Sequence, residues 1–199
     1  LELARFEFDD YCYGKLELTL MAQLLPEWAP SHDALWKQGK CMKQIHALRR
    51  SPLVTDADII LLANAWVRET VSLIPDGVAL LKELSDAKVM IAGLKKLPVD
   101  PSILYWLLKN PAELNATMFS LQKRETKDVN RIVQNLSQSL GMDYIDLMQF
   151  ICTTNNNKGA CKIIGDNDEI LFIDDNHWSL YGYTFFGGKI MHEILKKSL

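Results

Sequence analysis

The chain has 199 residues, of which 48% are hydrophobic, and this length and composition are typical of one globular domain with a sizeable core. The net charge of −3, with no block of like charges longer than a few residues, gives little support to a nucleic-acid partner. No apolar run reaches the roughly 18 residues that a membrane-spanning helix needs.

Apolar periodicity predicts strands and helices in alternation from the N-terminus. LARFEF, Leu3 to Phe8, alternates like a strand, and LELTLMAQLLPEW then has the spacing of a helix that ends near Pro26. WKQGKCMKQIHALRRS is a second short helical candidate. ADIILLANAW, Ala57 to Trp66, is a continuous apolar run headed by acidic residues, and it predicts a buried strand.

The second half of the chain continues the alternation. VRETVSLIPDGVALLKELSDA predicts a helix interrupted or restarted at Pro75, and KVMIAG, Lys88 to Gly93, predicts the next buried strand. PSILYWLLKN is a short helix, and KDVNRIVQNLSQSLG has clean helical spacing with Gly141 as its C-cap. DYIDLMQFI predicts a third buried strand, EILFI is short and strand-like, and TFFGGKIMHEILKKSL predicts a closing amphipathic helix.

Strands separated by helices predict an α/β fold, a three-layer α/β/α sandwich with a mainly parallel sheet, over residues 1–199 as a single domain. The active site of such a sheet lies beyond the carboxyl ends of its strands. Three loops are therefore expected to meet there: the loop after IILLANAW, the loop after KVMIAG, and the loop that holds DDNHWS.

The run IDDNHWSLYG, Ile173 to Gly182, carries the strongest candidates for chemistry. His177 can accept a proton from a nucleophilic hydroxyl, and Asp174, three residues earlier, can reach the other ring nitrogen and fix the tautomer. The alternative is a surface turn in which Asp174 and Asp175 cap the final helix. His46 and His192 fall within helical stretches and are expected to be packing or surface residues, and Asp146 is expected to be structural.

The four cysteines leave two interpretations open. Cys152 and Cys161 enclose a short polar loop that a disulfide can close, and Cys12 and Cys41 would then be the other pair. Four cysteines permit three pairings, and four reduced, buried thiols are the alternative. Disulfides would indicate an oxidising compartment. The chain has no CxxC or HxxxH spacing, so no metal site is expected.

DDNHWSLYG resembles the last sequence block of the SGNH (GDSL-like) hydrolase superfamily, whose Asp-x-x-His pair supplies the acid and base of a Ser-His-Asp triad. It is most similar to the SGNH domains fused to, or partnered with, the membrane acyltransferase-three family, which tend to end in Asp-x-x-His-Leu-Ser-x-x-Gly. The matching residues, with Trp in place of Leu, are Asp174, His177, Trp178, Ser179 and Gly182. ADIILLANAW resembles the central strand of that group, and the early and late cysteine pairs match its usual pattern.

This resemblance implies the extracytoplasmic domain of a bacterial O-acyltransferase, which moves an acetyl or other acyl group to a hydroxyl of a cell-surface polysaccharide. His177 would be the base and Asp174 its orienting acid, while Asn64, Trp66 and Trp178 would belong to the oxyanion or substrate pocket. No cofactor is implied. The acyl donor would arrive through a membrane acyltransferase domain or partner, which places the domain in the periplasm or on the extracellular face, tethered to the inner membrane.

The nucleophile is the departure from the family pattern, because the chain has no Gly-Asp-Ser block. Ser31, in APSHD, follows a proline-rich loop instead of a strand and Gly-Asp, and Ser51 fits less well still. We therefore expect a domain that is incomplete at its N-terminus, without its first strand and nucleophile block. The alternatives are an SGNH esterase that acts on a carbohydrate or lipid, and a non-catalytic binding module that has lost the nucleophile.

Overall fold

A computed structural model of the protein describes residues 43, 46–64, 66–108, 110–122, 124–155 and 158–198. The predicted strand LARFEF, the helix LELTLMAQLLPEW, Cys12, Cys41 and Ser31 lie outside these residues. The elements in chain order are α1 Pro52–Thr55, β1 Ile59–Leu62, α2 Arg68–Val71, α3 Ile74–Leu84, β2 Lys88–Ala92, α4 Pro101–Leu108, α5 Pro111–Ser120, α6 Arg124–Ser139, β3 Asp143–Ile145, α7 Leu147–Ile151, β4 Cys152–Asn155, β5 Lys158–Cys161 and α8 Leu180–Ser198.

The chain divides into two compact units. The first takes in the described residues up to Ile60 together with Val67–Val89, and the second takes in Leu61–Trp66 and the described residues from Met90 onward. In the first unit, α1 contacts α3, which begins at Ile74 with Pro75 in its first turn, as the sequence predicts. All the geometry of the DDNHWS loop belongs to the second unit.

The predicted α/β fold with a mainly parallel sheet is confirmed. The strand order is β1-β2-β3, and β2 runs parallel to β3 with Ile91 opposite Tyr144. The β2 residues from Met90 to Ala92 are fully buried, as predicted for a covered sheet. By contrast, β1 is shorter than the predicted run from Ala57 to Trp66, and its four residues are only partly buried.

The prediction that DYIDLMQFI forms one strand is wrong after its third residue. Strand β3 ends at Ile145, and the Asp146 carboxylate accepts a hydrogen bond from the Met148 N–H at 3.0 Å. An aspartate in this position caps a helix, so the apolar residues that follow form α7 instead of extending the strand. Asp146 is therefore structural, as expected.

EILFI is likewise not a strand of the sheet. Its backbone forms two isolated antiparallel bridges, Ile164 with Ile170 and Phe172 with Trp178. The second bridge closes a tight turn within the chain, so the DDNHWS residues are held by local pairing and not by the end of a parallel strand. Leu171 and Phe172 are buried in this arrangement.

Two helices of the second unit show how local sequence sets their limits. Helix α5, which the strand and helix periodicity did not predict, begins at Asn110, whose side chain accepts from the Ala112 and Glu113 N–H groups at 3.0 and 3.2 Å. Helix α6 buries Val129 and Val133 and is followed by a glycine with φ of +65°, the predicted C-terminal Gly141.

The antiparallel strands β4 and β5 form a hairpin that a disulfide closes. Cys152 lies directly opposite Cys161, and the two sulfur atoms are bonded at 2.04 Å. The residues predicted as a loop between strands thus form the strands themselves. Phe119 of α5 packs on this hairpin so closely that a Cβ atom on Gly159 would lie 1.9 Å from its ring.

Candidate active site

The DDNHWS residues form a tight turn in which the Asp174 carboxylate accepts hydrogen bonds from backbone N–H groups. The Ile173 N–H donates to the His177 carbonyl at 2.8 Å and closes the turn. Inside it, Asp174 Oδ1 accepts from the Asn176 N–H at 2.8 Å and from the His177 N–H at 2.7 Å. This is the side-chain-to-backbone capping that aspartate makes in turns.

The same carboxylate also contacts the imidazole of His177. His177 Nδ1 lies 2.8 Å from Asp174 Oδ2 and 3.1 Å from Oδ1. The Asn176 N–H, and after it the His177 side chain, lowers the pKa of Asp174 to about 2, so the carboxyl is ionised at neutral pH. An ionised acceptor at Nδ1 favours the neutral tautomer with its proton on that nitrogen.

The outer edge of the His177 ring is open to a reactant. The side chain is 65% exposed, and the structure gives Nε2 no hydrogen-bond partner among the residues that it describes. With Nδ1–H held by Asp174, Nε2 keeps a free lone pair that points to a proton-accepting role. The arrangement can therefore serve as the acid and base half of a hydrolase triad.

Ser179 and Gly182 fix the start of helix α8 next to the turn. Ser179 Oγ accepts from the Gly182 N–H at 3.1 Å and donates to the Ile170 carbonyl, so this serine, and not Asp174 or Asp175, caps the helix. A Cβ atom on Gly182 would lie 1.9 Å from the Leu171 carbonyl oxygen. Only glycine allows the helix to approach the chain so closely at this point.

Trp178 is a packing residue beneath the turn. It is 8% exposed, stacks on Phe186 with 5.2 Å between ring centroids, and meets Tyr183 edge-on at 5.7 Å. Its indole Nε1 is buried without a hydrogen-bond partner among the described residues. These contacts pack Trp178, the neighbour of His177 in sequence, against α8, and a role for Trp178 in a substrate pocket stays a prediction.

Asn64 and Trp66 follow strand β1. Trp66 is 2% exposed, and its Nε1 donates to the Ala92 carbonyl at the end of β2 over 2.7 Å. It therefore joins the ends of two strands, whereas Asn64 is partly buried. The oxyanion and pocket roles assigned to these two residues stay predictions. Ser51 precedes α1 without a side-chain capping bond.

The loop between β2 and α4, Gly93–Asp100, supplies contacts that the sequence pattern did not single out. Leu97 N–H donates to the Asp175 carbonyl at 2.7 Å, Lys96 Nζ lies 3.8 Å from Asp175 Oδ2, and Lys95 Nζ donates to the Asn176 carbonyl. The predicted meeting of the loop after KVMIAG with the DDNHWS loop is thus confirmed. Paired lysines after a strand were the available signal, but a lysine run is also typical of a solvated surface.

Neither a metal site nor a membrane helix is found in the part of the chain that the structure describes. No group of three or more His, Cys, Asp or Glu side chains there is arranged to hold a metal ion. No helix within the described ranges is both long and apolar enough to cross a membrane.

Comparison with known proteins relates the chain to one family. A family model described as "SGNH domain (fused to AT3 domains)" matches residues 21–191. Among solved structures, the lipopolysaccharide acetyltransferase periplasmic domain of Salmonella ser. Paratyphi A is similar, with a TM-score of 0.61 and 16% identity over 80% of this chain. This chain spans 63% of that domain, and at such low identity the likeness concerns the fold alone. No curated protein sequence matches the chain.

Proposed function

The chain belongs to the family of SGNH domains that are fused to AT3 domains, and from this we propose that it is the extracytoplasmic catalytic domain of a bacterial O-acyltransferase. It would transfer an acetyl or other acyl group to a hydroxyl of a cell-surface polysaccharide. The observation that carries the proposal is the contact of 2.8 Å between Asp174 and His177 Nδ1, in the family's last-block position, with the ring edge exposed.

In this proposal His177 moves the protons. The hydroxyl of a serine nucleophile gives its proton to Nε2 as its oxygen attacks the acyl carbonyl carbon. Nε2–H then gives the proton to the departing group of the donor, and an acyl-serine remains. A sugar hydroxyl next attacks the acyl carbonyl, Nε2 takes the sugar's proton, and the serine oxygen recovers it when the ester bond breaks.

Asp174 has a fixed role in each of these steps. Its carboxylate holds Nδ1–H, and it stabilises the imidazolium that forms each time Nε2 is protonated. Since its pKa is lowered to about 2, the carboxyl remains charged throughout the pH range in which such an enzyme operates. The serine would belong to the Gly-Asp-Ser block of the family, which this sequence does not contain.

The proposed partners follow from the family. Its description as fused to AT3 domains supports a membrane acyltransferase domain as the source of the acyl group. The similar Salmonella domain is described as periplasmic and as part of a lipopolysaccharide acetyltransferase, which supports the periplasm as the location and a polysaccharide as the acceptor. The disulfide between Cys152 and Cys161 fits an oxidising compartment.

The test begins with the open reading frame around this chain and then measures turnover of p-nitrophenyl acetate by the complete gene product. We expect a Gly-Asp-Ser segment upstream, turnover by the wild type, and loss of turnover in His177→Ala. His192→Ala is the matched control, because His192 is an exposed histidine of α8 and lies outside the turn. A gene without a Gly-Asp-Ser segment, or a His177→Ala variant with full turnover, would overturn the proposal.

The second candidate function is an SGNH esterase, in which water replaces the sugar hydroxyl. The 65% exposure of His177 is compatible with it, because water can reach the ring. Acceptor dependence separates the two functions. A transferase consumes acyl donor faster when polysaccharide is added and yields acylated polysaccharide, whereas an esterase releases free acid at a rate that the polysaccharide does not raise.

A further inference from the structure

We propose that Lys95 is a positioning residue for the Asp174–His177 pair, which it holds through the peptide group that joins Asn176 to His177. The inference rests on the proposed function, because it adds a residue to the same site. Lys95 makes no contact with the reacting atoms in this role. It acts on His177 through the backbone of the turn.

The loop that carries Lys95 is firmly anchored to the second unit. Gly93 N–H donates to the Ile145 carbonyl of β3 at 2.9 Å. Next along the chain, both backbone groups of Leu94 are bonded to one side chain of α6: Asn130 Oδ1 accepts from the Leu94 N–H at 2.6 Å, and Asn130 Nδ2 donates to its carbonyl at 2.9 Å. Leu97, two residues beyond Lys95, is fully buried.

From this anchored loop, Lys95 reaches two parts of the turn. Its ammonium donates to the Asn176 carbonyl and lies 4.8 Å from the centroid of the Trp178 ring. The ring is buried and stacks on Phe186 of α8, so the cation lies over a well-packed aromatic face. Lys96, in contrast, is about half exposed and contacts Asp175 only at 3.8 Å.

The Asn176 carbonyl and the His177 N–H belong to one peptide group. The Lys95 ammonium donates to the oxygen of this group. The N–H of the same group, which belongs to His177, donates to Asp174 Oδ1 at 2.7 Å. A cation at the carbonyl end polarises the peptide and strengthens its N–H as a donor, as in other chains of hydrogen bonds. The chain runs from the Lys95 ammonium through the peptide to Asp174, and from Asp174 Oδ2 to His177 Nδ1.

The test is the ¹⁵N and ¹H NMR of His177 in the folded chain, at a pH where the ring is neutral. Wild type should show the Nδ1–H tautomer and a downfield His177 amide proton. In Lys95→Met we expect loss of the single tautomer, with a mixture of Nδ1–H and Nε2–H, and an upfield shift of the amide proton. Lys95→Arg should restore both signals, because a guanidinium can donate to the same carbonyl. Lys96→Met is the matched control and should leave both unchanged.

A role that is merely structural would lower stability without moving the tautomer. Wild-type signals in folded Lys95→Met, or equal changes in Lys96→Met, would overturn the inference. If Lys95→Met does not fold, Lys95→Gln replaces it, since glutamine keeps a donor but removes the charge, and identical spectra for Gln and Arg would overturn the proposed polarisation. The tautomer is measured without turnover, so its outcome is independent of whether the complete gene product transfers acyl groups.

Discussion

The close approach of α8 to Leu171 predicts a large difference between two glycine substitutions in the same helix. In Gly182→Ala the new methyl group would lie 1.9 Å from the Leu171 carbonyl oxygen, and backbone has to move to admit it. Overpacking of this kind costs about 1–3 kcal/mol. The movement also strains the bond of 3.0 Å from the Ser179 N–H to the same carbonyl, a bond of about 1 kcal/mol.

Replacement of a helical glycine by alanine gains about 1 kcal/mol in helix propensity, which offsets part of this cost. We therefore expect Gly182→Ala to lower the free energy of unfolding by about 1–3 kcal/mol. Gly188→Ala is the control, because outside its own stretch of helix no atom lies within 4 Å of its added Cβ, and it should raise the free energy of unfolding by up to about 1 kcal/mol.

The assay is urea unfolding of the two variants, followed by thermal unfolding. The expected gap of about 1–4 kcal/mol corresponds to about 2–16 °C in Tm for a chain of this size. If Gly182→Ala were as stable as Gly188→Ala, the turn and α8 could separate without cost. The packing of α8 on Leu171 would then contribute nothing to the position of the turn that carries His177.

Three further predictions concern the carboxylate and the disulfide. The hydrogen bonds that lower the pKa of Asp174 to about 2 stabilise the folded state above about pH 4, and this stabilisation should be lost as the pH falls through about 2. A ¹³C titration of the carboxyl with a midpoint near 4 would contradict this prediction. Asp174→Asn should keep the turn yet transfer the His177 proton to Nε2, which ¹⁵N shifts report; a ring that stays Nδ1–H would contradict the assigned contact. Replacement of Cys152 and Cys161 by serine should lower the free energy of unfolding by about 2–3 kcal/mol in urea, and an unchanged midpoint would show that the hairpin does not depend on the bond.

The parts of the fold that the sequence predicts correctly are those whose periodicity is uninterrupted. Helix α8 buries Phe186, Ile190 and Ile194 at intervals of four, and β2 is apolar at every buried position, so period alone identifies them. The prediction of one strand for DYIDLMQFI is wrong because its apolar residues suit a strand or a helix equally. The outcome depended on one capping contact, from Asp146 to the Met148 N–H, which competes with the strand at close range.

The sequence predicts the chemical groups of the candidate site but not the long-range contacts that hold them in place. Asp174 and His177 are three residues apart, and a tight turn is enough to bring their side chains together, so local sequence carries this information. The contacts from Lys95 and Leu97 span about eighty residues of sequence and depend on how the loop after β2 is anchored by Asn130. No period or motif records such a contact, because each lysine alone is compatible with solvent.

Asp174 makes the contacts that both interpretations of IDDNHWSLYG require, those of a capped surface turn and those of a catalytic pair. One carboxylate oxygen, Oδ1, accepts the two backbone N–H groups of the turn, and the other, Oδ2, makes the shorter contact with the His177 ring. A turn that served only as a surface connection would need just the first oxygen, which an asparagine supplies as well as an aspartate does. The second oxygen matters only if the position of the Nδ1 proton matters. Asparagine keeps the first function and reverses the second, so Asp174→Asn separates the structural contribution of this residue from its proposed catalytic one. Alanine cannot do so, because it lacks both oxygens.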